Sequence, residues 1–214
     1  MYGIWIWAAA VLLYGGFSLW YNGWRAPLTH DEVEHYMERL LATPEAVPDS
    51  ARAAAARAFL ESDDGKEFFM VNLIRLHPEP VELPGSSERK PAAEVLGRYT
   101  GYVMSELAKR AGHPAFAAPA VGGNIEEWGI EAGPGWTFSG VIRYRSRRDM
   151  IELATDPRFT PAHAFKVAAI ANTFAFPSAP AMIPLGPRLV VGLGLALFAA
   201  LIHLSILLLR GAAA

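Results

Sequence analysis

Two stretches of this chain carry no formal charge and are each long enough to cross a bilayer, and nearly all of the charge lies between them. Ile4 to Trp24 contains no Asp, Glu, Lys or Arg, and neither does Leu189 to Leu209. A helix of about 20 residues rises about 30 Å, the thickness of a hydrocarbon core. Trp5 and Trp7 stand at one end of the first stretch, with Trp20, Tyr21 and Trp24 at the other. Amphipathic rings favour the headgroup level, so this is the pattern of an aromatic belt. Arg188 and Arg210 bracket the second stretch, where their long stems can snorkel outward. The reading is a protein with two spans, 1–24 and 188–210, around a folded centre.

The first stretch reads as an uncleaved anchor. It lacks a basic leader, its apolar run is long, and Tyr21-Asn22-Gly23-Trp24 is no small-x-small cleavage site. Two spans put both termini on one side and the centre on the other. Arg25 and Arg188 flank the centre, against Arg210 and the terminal amine opposite, which tilts the centre towards the cytoplasm. Of 19 basic and 21 acidic side chains, all but Arg210 fall within Arg25–Arg188. The net charge of -2 offers no basic footprint, which argues against nucleic acid as a partner. With no cysteine, disulfides, thiolate nucleophiles and thiolate metal sites are excluded.

Between the spans, Thr29-His30-Asp31-Glu32 is a capping box opening a helix to about Leu41, with Val33, Tyr36, Met37 and Leu40 on one face. Thr43-Pro44 and Val47-Pro48 break the chain, and Asp49 or Ser50 caps a second helix, Ala51–Glu61. Residues 25–65 thus read as a helical connector. Phe68–Leu76 is a continuous apolar strand, as expected when both sheet faces are covered. His77–Pro91 reads as a surface loop, and Pro91 opens a helix to about Ala111 that turns Leu96, Tyr99, Val103 and Leu107 to the sheet. Strands follow at Phe116–Asn124, Glu126–Glu131 and Trp136–Arg145. Ser146 caps a helix to Ala154, Thr160-Pro161 starts another to about Ile170, and Asn172–Phe176 is the last strand. Residues 179–187 form a proline-rich tether. The order β-α-β-β-α-β predicts an α+β fold, the ferredoxin-like split βαβ, with helices on one face of a four-stranded antiparallel sheet. The other face needs a cover, and a second copy would supply it.

Phe69–Phe176 resembles the small bacterial proteins grouped as domain of unknown function 1330, within the dimeric α/β-barrel superfamily. The resemblance rests on Met70-Val71-Asn72-Leu73, on Gly122-Gly123, on Trp136 with Val141–Tyr144, and on Arg143–Arg147 followed by Thr155–Phe159 and Ala162-His163-Ala164. It implies a ferredoxin-like protomer of residues 66–178 that pairs sheet to sheet. It also implies a bacterial source, and so the inner membrane as the bilayer. The superfamily holds cofactor-free monooxygenases and haem-binding branches, but the resemblance carries no catalytic set over to this chain.

Individual residues leave alternatives open. His163 is a general base or haem ligand, or a helix histidine bonded to a carbonyl or to Asp156. Asn72, polar within an apolar strand, bonds a ligand or a neighbouring helix end, since an unpaired buried amide costs about 1–3 kcal/mol. Arg143 and Arg145, facing Arg75, grip a carboxylate together or pair with Glu126, Glu127 or Glu131. Gly97, Gly101, Ser105 and Ala108 make a ridge that admits another helix or a ligand. Trp128 and Trp136 line a pocket or belong to a core or dimer interface. In the second span, Gly192, Ala196 and Ala200 could pack near Gly15-Gly16, and His203 is a haem or relay residue or simply a satisfied imidazole.

Two functions follow. One is a membrane-anchored module that dimerises or docks on a larger membrane complex, with no cofactor. The other is a cofactor-free oxidative enzyme for a lipophilic or quinone-like molecule, its cavity lined by Asn72, Tyr102, Trp136, Arg143 and His163. Haem held by His163 or His203 is a third expectation.

Overall fold

The computed structural model describes residues 2–42, 50–129, 133, 135–183 and 185–212. Its helices are α1 (Tyr2–Asn22), α2 (His30–Leu41), α3 (Ser50–Glu61), α4 (Ala92–Lys109), α5 (Arg147–Ala154), α6 (Phe159–Ala169) and α7 (Pro187–Gly211). The strands are β1 (Phe68–Leu76), β2 (Val81–Glu82), β3 (Arg89–Lys90), β4 (His113–Pro119), β5 (Phe138–Tyr144) and β6 (Ile170–Ser178). They make two compact units, one from the described residues of 1–24 and 180–214, the other from those of 25–179.

The first unit is the pair α1 and α7, both long and apolar enough to cross a membrane. Trp7 Nε1 donates to His203 Nδ1 at 3.3 Å. Arg188 Nε donates to Asn22 Oδ1 at 2.6 Å, and its guanidinium lies 5.0 Å from the Tyr21 ring centroid. Arg188 thus ties the start of α7 to the end of α1. The small-residue line packs elsewhere than expected. A Cβ at Gly192 would meet the Tyr14 ring at 3.3 Å, whereas Gly15 and Gly16 have nothing within 4 Å. Tyr14 fills the groove that Gly192 leaves open.

The second unit is built on a four-stranded antiparallel sheet in the order β4-β5-β1-β6. β1 is an inner strand, with Phe68 opposite Tyr144 on β5 and Val71 opposite Phe176 on β6. Hydrogen-bonded on both edges, it carries apolar residues on both faces, which explains its unbroken apolar sequence. β4 begins three residues before the expected Phe116. Ala111 takes a left-handed conformation (φ 56°) and Gly112 N donates to Leu107 O, so the chain leaves α4 directly into the strand. Pro114 and Pro119 are tolerated because β4 is an edge strand paired with β5 alone, with a bulge between Pro114 and Phe116. The expected Glu126–Glu131 strand is absent from the described residues 126–129, and the remainder lies outside them. The Thr43-Pro44 and Val47-Pro48 breaks, the Asp49 cap and Pro134 also fall outside the described residues. The loop 77–91 holds a small hairpin, β2 with β3, turning at Gly85 (φ 78°).

Helices α2 and α3 pack into this unit. Val33, Met37, Leu60 and Ile151 form one buried cluster across α2, α3 and α5. Burying each of these side chains fully is worth about 1.5–3 kcal/mol. The capping box forms as read, Thr29 Oγ1 accepting from Glu32 N while the Glu32 carboxylate accepts from Thr29 N. Glu32 also pairs with Arg148, and Arg25 reaches Glu152 at 2.7 Å. The Arg147 guanidinium sits 4.7 Å from the Phe59 ring centroid and donates to Phe59 O at 2.6 Å. A run of arginines at the start of α5 thereby staples the two preceding helices in place.

Candidate functional site

Alternation along the inner strands assigns the two faces of the sheet. Met70, Asn72, Ile74 and Leu76 of β1 share a face with Phe138, Gly140, Ile142 and Tyr144 of β5. These residues, with α4 and α6, line a cavity of about 910 Å³. Ligand sites in proteins span about 300–1,000 Å³. Beside Leu96, Tyr99 and Val103, the wall from α4 includes Ala93, Gly97, Thr100, Gly101 and Met104, a helical face of small or flexible residues. A Cβ at Gly97 or Gly101 would meet nothing within 4 Å. The ridge read as helix packing or ligand space is exposed, and only its Gly97 and Gly101 line the cavity. It opens the cavity.

Of the five residues proposed for the site, Asn72 and His163 line the cavity. Asn72 Nδ2 donates to Met70 O at 2.9 Å, so its amide is held by its own strand and not by a helix end. The His163 ring stacks on Phe159 at 5.3 Å and meets Tyr99 edge-on at 6.1 Å. The other three lie elsewhere. Arg143 is fully buried on the opposite sheet face, where Nε donates to Glu67 at 2.7 Å and Nη1 to Ala111 O at 2.5 Å. Its odd position in the β5 register, against the even-numbered cavity residues, accounts for this. Tyr102 is one residue beyond the cavity-lining face of α4 and neighbours Asp156 and Glu106, with its hydroxyl buried; burial raises its pKa. Trp136 is half-buried and outside the lining.

The arginine clamp does not form. Arg145 binds Asp149 through Nε at 2.7 Å and Nη2 at 2.6 Å, turning away from Arg143. Asp149 also accepts from Ser146 Oγ at 2.8 Å, while Ser146 Oγ accepts from Asp149 N at 3.1 Å, the N-cap expected for α5. Glu126 and Glu127 serve neither arginine: Glu126 accepts from Trp128 Nε1 and Glu127 from Asn124. Trp128 is 80% exposed and so belongs to no core.

Sequence reasoning missed the titratable wall residues Lys166 and Tyr144 and took Tyr99 only as a sheet-facing residue. Lys166 lines the cavity with its Nζ 5.6 Å from the Tyr99 ring centroid. The signal was present, since Ala162–Ala169 is apolar except for His163 and Lys166, one helical turn apart. Burial lowers the Lys166 pKa and raises that of Tyr99, while Tyr144 is pushed up to about 12. Both phenols stay neutral donors at ordinary pH. His203 is spent inside the helix pair: Nδ1 accepts from Trp7, and a Cβ at Gly3 would sit 2.7 Å from Nε2.

The chain matches no protein-family model and no curated protein. It is similar to two solved structures. One is the methylated RPA0582 protein, at 22% identity and TM-score 0.48, covering 66% of this chain and 95% of that one. The other is the RPA0582 protein of unknown function from Rhodopseudomonas palustris, at 21% identity and TM-score 0.48, covering 64% of this chain and 97% of that one.

Proposed function

We propose that this chain is a membrane-anchored, ferredoxin-like α/β-barrel module, of the domain of unknown function 1330 type, that holds a small apolar molecule in the cavity between its sheet and helices. The observation that carries this reading is the cavity itself: about 910 Å³, walled mainly by apolar side chains, with two glycines that nothing packs against. Helix glycines cost about 1 kcal/mol each relative to alanine.

The second part of the proposal is a homodimer. Phe116, Phe174 and Phe176 are 55%, 58% and 40% exposed. Register puts Phe174 and Phe176 on the sheet face of Val71 and Leu73, opposite the cavity, while Phe116, on the edge strand, lines the cavity. A face with aromatic and branched residues at its centre can pack on its own copy under a two-fold axis, and antiparallel sheets pack face to face about 10 Å apart. The bilayer is proposed as the bacterial inner membrane, with the domain on the cytoplasmic side as the flanking arginines favour, and the module as an accessory subunit of a membrane complex.

A cofactor-free oxidative enzyme acting on a lipophilic molecule is the second reading, favoured by Asn72 and His163 on one cavity wall. Turnover lost in both Asn72→Ala and His163→Ala would support it. Haem on His203 finds no support in a ring already engaged by Trp7 and Gly3.

Mass spectrometry of what leaves the membrane with the full chain in mild detergent tests the proposal. An organic-extractable molecule retained by the wild type and lost in Gly101→Trp supports it. Identical extracts from both overturn it. Sedimentation of wild type against Phe174→Glu tests the dimer, with a monomeric wild type overturning that part.

A further inference from the structure

The cavity has one formally cationic side chain in its wall and no matching anion. Among the described residues that line it there is no aspartate, glutamate or arginine. Lys166 projects from α6, on the turn after His163, and its contact with the Tyr99 ring is its only charge-directed interaction among the described residues. The other polar members of the wall, His163, Asn72, Tyr99, Tyr144 and three threonines, bring no carboxylate.

Lys166 is half-buried; an ammonium drawn from water without a carboxylate is costly, and an aromatic face offsets only part of the loss. Two outcomes relieve it: the amine gives up its proton, or an anion joins it. An anion entering this cavity must bring an apolar body with it, because the remaining wall would otherwise stay unfilled. Resting on the reading of the cavity as a lipophile site, we infer that its ligand is an apolar monocarboxylate, its head on Lys166 Nζ and its tail along the β1–α4 wall.

Burial lowers the Lys166 pKa, the direction expected of a cation lacking a counter-ion. Binding of a carboxylate would restore the charged form. Tyr99, whose phenol is neutral, supplies a ring surface beside the head instead of a competing charge.

Decanoate and its neutral counterpart decanol separate the head from the tail. Equilibrium binding of each radiolabelled probe to the full chain in mild detergent, at pH 7, is measured for wild type, Lys166→Met, Lys166→Arg and Gly101→Trp. Decanoate is expected to bind wild type and Lys166→Arg, to lose at least tenfold in affinity in Lys166→Met, and to lose binding in Gly101→Trp. Decanol is expected to bind wild type and Lys166→Met alike. Equal decanoate affinity in wild type and Lys166→Met, with both probes still blocked in Gly101→Trp, would overturn the head-group assignment and leave the cavity reading standing. Binding that Gly101→Trp leaves unchanged, or no binding of either probe, would overturn both. Lys166→Met replaces a half-buried charge with an apolar chain of similar length, so its folded state is retained for the comparison.

Discussion

Filling the two glycine positions of α4 should stabilise the protein while closing the cavity. Gly97 and Gly101 lie within an 18-residue helix, and neither has a positive φ. Each glycine costs about 0.8–1.0 kcal/mol relative to alanine in a helix interior. Overpacking normally cancels such a gain in a core, but here a Cβ meets nothing within 4 Å at either site. Gly97→Ala with Gly101→Ala should therefore add about 2 kcal/mol. For a domain of this size, about 2–4 °C accompanies each kcal/mol, so Tm should rise by about 4–8 °C. Thermal unfolding of the full chain in mild detergent, followed by circular dichroism, measures this. The same variant should bind decanoate more weakly than wild type, because two methyl groups enter the cavity. A lower Tm would refute the reasoning, since it would mean that these glycines receive a close contact the open cavity does not allow for.

Three further outcomes follow from the ion pairs and the lysine. Asp149→Ala removes the acceptor of Arg145 and of the Ser146 hydroxyl at a carboxylate only 4% exposed; it should cost about 3 kcal/mol in urea unfolding, and a loss below about 1 kcal/mol would contradict the pairing. Hydrogen bonds from Arg148 hold the Glu32 carboxyl at about 2, and those from Arg158 hold Asp156 at about 2, both below their unfolded values. Their stabilisation is complete above the unfolded pKa and is lost as pH falls from about 4.5 to about 2, a slope that Glu32→Gln should reduce. Because Glu32 is 38% exposed, solvent screening limits its share to about 1 kcal/mol. For Lys166 the slope has the same sign but records a cost being relieved: its folded pKa is lowered, so the unfolded chain binds more protons and stability should rise as pH climbs towards 10.5. Lys166→Met should be more stable than wild type at pH 7 and lack that rise; equal stability would argue that the amine is solvated.

Local chemistry made some elements legible and long-range pairing hid others. The ends of β1 and the caps at Thr29 and Ser146 were readable because each depends on residues within a few positions of one another. β4 was misplaced because Pro114 reads as a breaker until its edge position is known. Arg143 has the same difficulty, since its partners Glu67 and Ala111 O lie far away in sequence. The cavity was hardest to see, being defined by side chains that are missing at Gly97 and Gly101 and not by a motif. Asn72 and His163 were found as polar interruptions of apolar runs. Lys166 interrupts α6 in the same way, and weighing it equally would have brought it in.

Photolabelling locates the bound lipophile most directly. An alkyl diazirine is irradiated with the full chain in mild detergent and the modified peptides are mapped. Label on the segments Gly97–Met104 and Met70–Ile74, absent from both in Gly101→Trp, is the expected result. Label confined to α1 and α7, and unchanged by Gly101→Trp, would contradict a ligand-holding cavity.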